Sequence, residues 1–466
     1  MIYPLVHEII YDDPVKMFSL FSDKTGAVLL DSAELRDACG RYSFIAIDPF
    51  LTLTSKQNEI HINGQSCQGD PFAMLEQQLS RFSLTFHADL PPFQGGVAGY
   101  FGYDLCHHVE KFSRVAQDDM QFPDMAVGFY DLVIGFDQVL RRAWIFSSGY
   151  PLQAIAEREQ RAEQRCAWLL NELARQAECT SPVTIQTKQD IEIHANFTAA
   201  SYQAAVRQVI EYILAGDIFE ANISQRFQAI LPAHLSAFQL YCQLREVNPA
   251  PFAAYLCFDD VVIASASPER FLQLKNQQVE TRPIKGTRSR GLTAEQDQQF
   301  INDLLQSEKD HAENTMIVDL LRNDLSRVCG DHSVQVPSLC RLESYATVHH
   351  LVSVVTGKLQ NEKHAIDLLR ATFPGGSITG APKIRAMEII AEIEPTCRGP
   401  YCGSVGYIGF NGDMDTSIVI RTYAIKNNVV TFQAGGAVVA DSDPLSEYEE
   451  TLIKSAALRR VLNYLS

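Results

Sequence analysis

Between Pro92 and Asp104 lie four glycines, Gly95, Gly96, Gly99 and Gly102, set among Phe93, Val97, Ala98, Tyr100, Phe101 and Tyr103. A run this apolar belongs inside a protein, and glycine within a strand marks a close approach of other atoms to the backbone. The stretch predicts a buried strand crossed closely by another backbone. The alternative is a phosphate loop, but no lysine and no helix start follow it.

The chain has 466 residues, enough for two or three ordinary domains or two large ones. Its 46% hydrophobic and 20% charged residues describe a soluble globular protein. No apolar run approaches a membrane span, and the N-terminus lacks the basic start and apolar stretch of a signal peptide. The 11 cysteines show neither a C-x-x-C pair nor zinc spacing and read as reduced thiols, so a cytoplasmic location is expected. The formal charge, 39 − 56 = −17, argues against nucleic acid and against an anionic membrane surface. An anionic ligand would need local cations of its own.

Residues 1 to about 180 read as strands with a few helices: strands near 28–30 and 41–47, a helix over 71–82 capped by Asp70, and a hairpin of 125–136 with 139–147. A long helix over 151–177 shows a charged, solvated face. The polar, aperiodic stretch 180–196 is the expected boundary between an N-terminal domain, 1–185, and a second domain, 186–466. A helix over 198–215 ended by Gly216 and a strand over 218–227 open the second half. The expected fold class is α+β: mixed, largely antiparallel sheets packed against flanking helices.

Several stretches of the second half can carry chemistry. In Thr281-Arg282-Pro283-Ile284-Lys285-Gly286-Thr287-Arg288, strand alternation puts Lys285 on the face of Pro283 and Thr287. With Arg282, Arg288 and Arg290 close by, the amine is expected to lose its proton easily and act as a nucleophile; a solvated basic loop is the plain alternative. Glu269 follows the apolar strand 261–267 and would have a raised pKa if half-buried, or else pair with Arg270 at the surface. Asp310 and Glu313 share one helix face, as do Glu447 and Glu450, and two such pairs could hold magnesium; for Glu450 an ordinary pair with Lys454 competes. The run 373–383 resembles a phosphate loop but has Ala381-Pro382 where Lys and Ser/Thr are required. Its Thr379 hydroxyl, with the N–H groups of a helix beginning at Pro382, could instead receive a carboxylate. Strands 402–410 and 416–422 read as a hairpin turning at 411–413, and Arg421 either pairs with a core acid or clamps a substrate carboxylate.

Ser267-Pro268-Glu269-Arg270-Phe271, Arg282 to Thr287, Ala312-Glu313-Asn314, Asp319 to Asp324, His349-His350-Leu351, Pro374 to Lys383 and Ala440 to Pro444 stand in order over most of 198–458. Together they resemble the chorismate-utilising enzymes: the large subunits of anthranilate and aminodeoxychorismate synthases and the isochorismate and salicylate synthases. Lysine in Pro283-Ile284-Lys285-Gly286-Thr287 resembles the aminodeoxychorismate-forming branch. The resemblance implies that Lys285 attacks C2 of chorismate while Glu269 protonates the departing C4 hydroxyl, and that ammonia then displaces the lysine. It implies Glu313 and Glu450 as magnesium ligands, Asp310 and Glu447 beside them, and Thr379, Tyr407, Arg421, Gly435, Gly436, Lys454 and His350 around the substrate. Where isochorismate and salicylate synthases carry a general-base lysine, and amidating relatives usually glutamine, this chain has Glu220. No glutaminase signature is present, and the resemblance implies a separate glutamine amidotransferase subunit as the source of ammonia. Ser32, Tyr42, Ser43, Pro251 and Phe252 resemble an amino-acid pocket that holds tryptophan in some relatives, with core packing as the alternative. An anthranilate synthase component and a non-catalytic amino-acid-binding regulator are the competing functions.

Overall fold

The computed structural model describes residues 2–35, 39–115, 117–176, 191–344 and 348–463. Its strands form two twelve-stranded sheets. Every pairing of its named strands is antiparallel, so the sheets are not mixed. The first sheet runs Leu5–Ile9, Arg142–Ser147, Leu132–Asp137, Tyr42–Ala46, Ala27–Asp31, Phe252–Phe258, Val261–Ser267, Thr422–Lys426, Val429–Val438, Glu220–Ile230 and His194–Ala195. Gly380–Ala381 also pairs with Glu220–Ile230. The second runs Ile284–Ser289, Val348–Lys358, Gln278–Thr281, Arg270–Lys275, Met414–Ile418, Ser404–Gly409, Gly96–Phe101, Met125–Tyr130, Leu51–Lys56, Glu59–Ile62 and Gln65–Gln68, with Gln335–Ser344 also on Val348–Lys358.

The sheets pack face to face. Val28, Phe44, Leu256 and Ile263 of the first meet Ala98, Tyr100, Val405 and Tyr407 of the second in one buried cluster. Helices Ala237–Val247 and Pro444–Asn463 cover the outer face of the first sheet through Leu240, Leu244, Leu458 and Val461. Helices Glu308–Ser326 and Ala365–Thr372 cover the second through Ile317, Leu321 and Leu368. The result is a helix–sheet–sheet–helix stack, which buries both faces of the central strands of each sheet. No helix of the described residues is long and apolar enough to cross a membrane.

The glycine-rich strand lies between Met125–Tyr130 and Ser404–Gly409. A Cβ added at Gly99 would lie 2.2 Å from the Ala126 carbonyl oxygen, so backbone does crowd it. The expected strand 125–136 is two strands, and only Leu132–Asp137 forms the hairpin with Arg142–Ser147. The break is at Asp131, a fully buried carboxylate held by Arg165 at 3.0 Å and Arg161 at 3.6 Å, where the chain passes from one sheet to the other. The expected strand 416–422 also divides, into Met414–Ile418 and Thr422–Lys426, and Arg421 at the crossing has φ 54. A third crossing, between Val261–Ser267 and Arg270–Lys275, contains Glu269. Most of the expected domain boundary falls in residues 177–190, outside the described ones. On either side of it the halves share both sheets: Ala27–Asp31 pairs with Phe252–Phe258, and Gly96–Phe101 with Ser404–Gly409.

Candidate active site

Lys285 stands on Ile284–Ser289, the edge strand of the second sheet. Pairing with Val348–Lys358 slips by one residue between Ile284 and Thr287, a bulge at Gly286, whose φ is 83. The bulge breaks the simple alternation expected there. A side chain at Gly286 would be strained and would crowd Asp310, its Cβ 3.0 Å from that of Asp310. Lys285 Nζ donates to Glu220 Oε1 at 3.0 Å, and the Glu220 side chain is fully buried. Asn222 Nδ2 donates to the same oxygen, whereas Glu220 Oε2 has no partner among the described residues.

The expected depression of the Lys285 pKa is reversed. Burial acts to lower it, but the carboxylates of Glu220, Glu313 and Glu269 together outweigh burial and hold the amine above its usual range. The neighbouring guanidiniums are each tied to an acid: Arg282 to Glu343 at 2.6 Å, Arg288 to Asp310 at 3.0 Å and Arg290 to Asp297 at 2.8 Å. Glu269 is buried, and its Oε1 accepts from Ser377 Oγ at 2.8 Å. Burial raises its pKa to about 7 against the opposing pull of that hydrogen bond and of Lys285. It makes no surface pair with Arg270, which is buried against Asp415 at 2.9 Å.

Four further carboxylates were expected at a metal. Burial raises Glu313 to about 7, opposed by Lys285 and reinforced by Glu220. Glu447 accepts from Ser442 at 2.7 Å, and its Oε2 is buried without a partner among the described residues. Lys309 Nζ lies 3.9 Å from both Glu313 and Glu447, so helices Glu308–Ser326 and Pro444–Asn463 point carboxylates at one cation position. Asp310 is engaged by Arg288, and Glu450 by Lys454 at 2.6 Å. Among the described residues no three His, Cys, Asp or Glu side chains converge as a ready metal cluster. Magnesium usually takes one or two carboxylates, with waters and ligand oxygens completing its shell. Glu447, with one oxygen lacking a partner among the described residues, and Glu313, which approaches the same Lys309 ammonium, fit that need.

Arg421 is largely buried, and burial lowers its pKa. Among the described residues no acid pairs with it, and the phenol of Tyr401 is its electrostatic neighbour. Lys454 Nζ donates to Gly435 O at 3.0 Å. A Cβ on Gly436 would lie 2.8 Å from Glu447 Oε2, so the two glycines keep this wall flat beside the acids. His350 Nδ1 is 2.8 Å from Thr287 Oγ1. The Thr379 hydroxyl donates to Gly375 O at 2.8 Å, so its proton is already used and not offered to a carboxylate. Pro382 caps helix Lys383–Ile393 from outside instead of starting it.

Tyr407 is elsewhere. It stacks on Phe93 with ring centroids 4.6 Å apart and lines a separate cavity of about 380 Å³ with Ser32, Tyr42, Pro251, Phe252 and Arg270. Ser43 stands behind that wall, donating to Asp31 at 3.2 Å and accepting from the Ser32 amide. Asp31 is also held by Arg245 at 2.6 Å and by the Tyr241 hydroxyl at 2.9 Å. Tyr401, Ser377 and Lys309 were missed by sequence reasoning. Tyr401 and Tyr407 lie in one apolar run, and nothing in its pattern says which of them faces Arg421.

The chorismate binding enzyme family matches residues 27–460. Aminodeoxychorismate synthase component 1 of Escherichia coli is 40% identical over 454 residues, covering 96% of this chain and 95% of that protein. Anthranilate synthase component 1 of Acetivibrio thermocellus is 36% identical over 472 residues, covering 99% and 95%. The solved structure of anthranilate synthase component I from Streptococcus pneumoniae superposes with TM-score 0.80 at 32% identity, covering 92% of this chain and 94% of that one.

Proposed function

The chain belongs to the chorismate-binding enzymes, and from that membership we propose that it is the chorismate-converting component of an aminodeoxychorismate synthase. It converts chorismate and ammonia to 4-amino-4-deoxychorismate, a step toward 4-aminobenzoate and folate. The observation that carries this reading is the burial of the Lys285 amine within electrostatic reach of the Glu269 carboxyl, whose pKa burial raises to about 7. An amine is a nucleophile once it has lost its proton, and a carboxyl near pKa 7 can donate one at neutral pH. Lys285 attacks C2 as Glu269 protonates the departing C4 oxygen, and ammonia then adds at C4 and releases the lysine.

Arg421, which no acid among the described residues pairs, is suited to a substrate carboxylate, and Lys454 adds a second cation. Gly435, Gly436, His350 and Thr379 shape the rest of the pocket. Glu313 and Glu447, with Glu450 and Asp310 beside them, would hold magnesium, which when bound supplies positive charge for the other substrate carboxylate. A dicarboxylate can thereby enter a chain of net charge −17. Ammonia comes from a glutamine amidotransferase subunit, a reading supported by the numbering of relatives as component 1. The separate cavity, with its aromatic wall of Tyr407, Tyr42 and Phe44, takes an amino acid such as tryptophan.

The test is product formation from chorismate with ammonium and magnesium, together with intact mass in the absence of ammonia. The expected results are a non-fluorescent amino product and a mass adduct on Lys285. Anthranilate fluorescence would assign the chain to the branch of its 36% identical relative. No turnover at all would favour the amino-acid-binding regulator.

A further inference from the structure

Lys285 cannot attack while it is an ammonium ion, and its surroundings favour the ammonium ion. We propose that Glu220 is the base that takes the Lys285 proton before the amine attacks chorismate and returns it when the lysine departs. This deepens the covalent reading above and rests on it.

The groups facing Lys285 narrow the choice. Glu220 comes from Glu220–Ile230, Glu269 from the crossing after Val261–Ser267, and Glu313 from helix Glu308–Ser326. On that helix Asp310 is tied to Arg288, and Lys309 lies 3.9 Å from Glu313. From Val348–Lys358 come His350, bonded to Thr287, and His349, 3.0 Å from Asp297 of helix Ala294–Leu305, which also holds Arg290. Glu269 must keep its proton for the departing oxygen, and its Oε1 is engaged by Ser377. Glu313 shares its neighbourhood with Lys309 and Glu447. Glu220 alone among these carboxylates accepts a hydrogen bond from Nζ, at 3.0 Å, within proton-transfer reach. Its Oε2 is buried and has no partner among the described residues, so a proton received on either oxygen breaks no bond to that second oxygen.

The protons balance. Glu220 carboxylate takes a proton from Lys285 and becomes neutral, leaving a neutral amine. The Nζ–C2 bond forms, the C4–O bond breaks, and Glu269 supplies the proton that lets the oxygen leave as water. The nitrogen is now a secondary ammonium. Ammonia forms the C4–N bond, the C2–Nζ bond breaks, and the lysine leaves as a neutral amine. The new C4 ammonium returns a proton to Glu269, and Glu220 returns its proton to Lys285. Chorismate and ammonia have become 4-amino-4-deoxychorismate and water, with both acids and the lysine restored.

The test is the rate of adduct formation with chorismate and magnesium, without ammonia, between about pH 6 and 9. The full chain, Glu220→Gln and Glu220→Asp are compared by intact mass. Wild type should be level up to about pH 7 and then fall about tenfold per unit as Glu269 loses its proton. Glu220→Gln keeps an acceptor for Nζ but no base, so its rate should fall about 100-fold at neutral pH, climb about tenfold per unit up to about pH 7 and then level off, because further loss of the lysine proton offsets loss of the Glu269 proton. Glu220→Asp should recover part of the neutral rate and the shape of the wild-type profile, and it serves alone if the glutamine variant does not fold. A Glu220→Gln profile parallel to that of wild type, at the same or a uniformly lower rate, overturns the inference and leaves the covalent reading standing. No adduct from wild type during active turnover overturns both.

Discussion

Glu269 and Lys285 show opposite responses to burial. Taking a carboxyl out of water disfavours its charged form, and the Ser377 hydroxyl does not compensate, so Glu269 rises to about 7. Lys285 is just as enclosed, yet three carboxylates keep its charge. A general acid works only while protonated, so kcat/KM should fall about tenfold per unit as pH rises above about 7. Glu269→Gln should lower kcat/KM by roughly 100- to 10,000-fold and remove that alkaline limb from the residual activity. A retained limb would move the acid role to another group. Arg421→Gln should raise the chorismate KM about tenfold or more, the loss of a charge-assisted hydrogen bond worth about 1.5–3 kcal/mol; an unchanged KM would place the substrate carboxylate elsewhere. Glu313→Ala should abolish turnover together with any shift of melting temperature on adding magnesium. Persistence of both would refute the metal assignment.

At the scale of elements, the site is assembled from interruptions of regular structure. Lys285 precedes a bulge, while Glu269 and Arg421 lie at crossings between the two sheets. Regular parts were legible because periodicity and end signals record them: helix Ala199–Leu214 begins after a Thr198 cap, and helix Pro71–Leu79 after Asp70. The turn at 411–413 was equally plain. Crossings were not legible, because an apolar run reads the same whether its strand continues in one sheet or moves to another, as at Asp131. Charge neutralisation was also hidden, since the partners of Arg282 and Arg288 are distant in sequence, at Glu343 and Asp310. The glycine strand was legible through close approach, and it can be tested. Gly99→Ala drives a Cβ to 2.2 Å from backbone and should cost about 3 kcal/mol or more. Gly64→Ala, where φ is 79 but nothing lies within 4 Å, should cost only about 1 kcal/mol. Equal melting temperatures for the two variants would mean that the strand can shift to make room.

At the scale of the whole molecule, the two halves of the chain are joined edge to edge in both sheets. Removing residues beyond 190 would strip Ala27–Asp31 of Phe252–Phe258 and Gly96–Phe101 of Ser404–Gly409, exposing unpaired N–H and C=O groups in the middle of each sheet. It would also open the cluster between the sheets, where Phe44 and Tyr100 meet Leu256 and Val405. Exposed apolar edges of this kind associate instead of staying solvated. The pieces 1–176 and 191–466, expressed separately, should therefore be insoluble or melt without a cooperative transition. Produced together they should recover soluble protein that turns over chorismate, because both pieces keep the strands that join the halves. Cooperative melting of either piece alone would show that the halves fold independently, and that the shared sheets follow domain folding without being required for it.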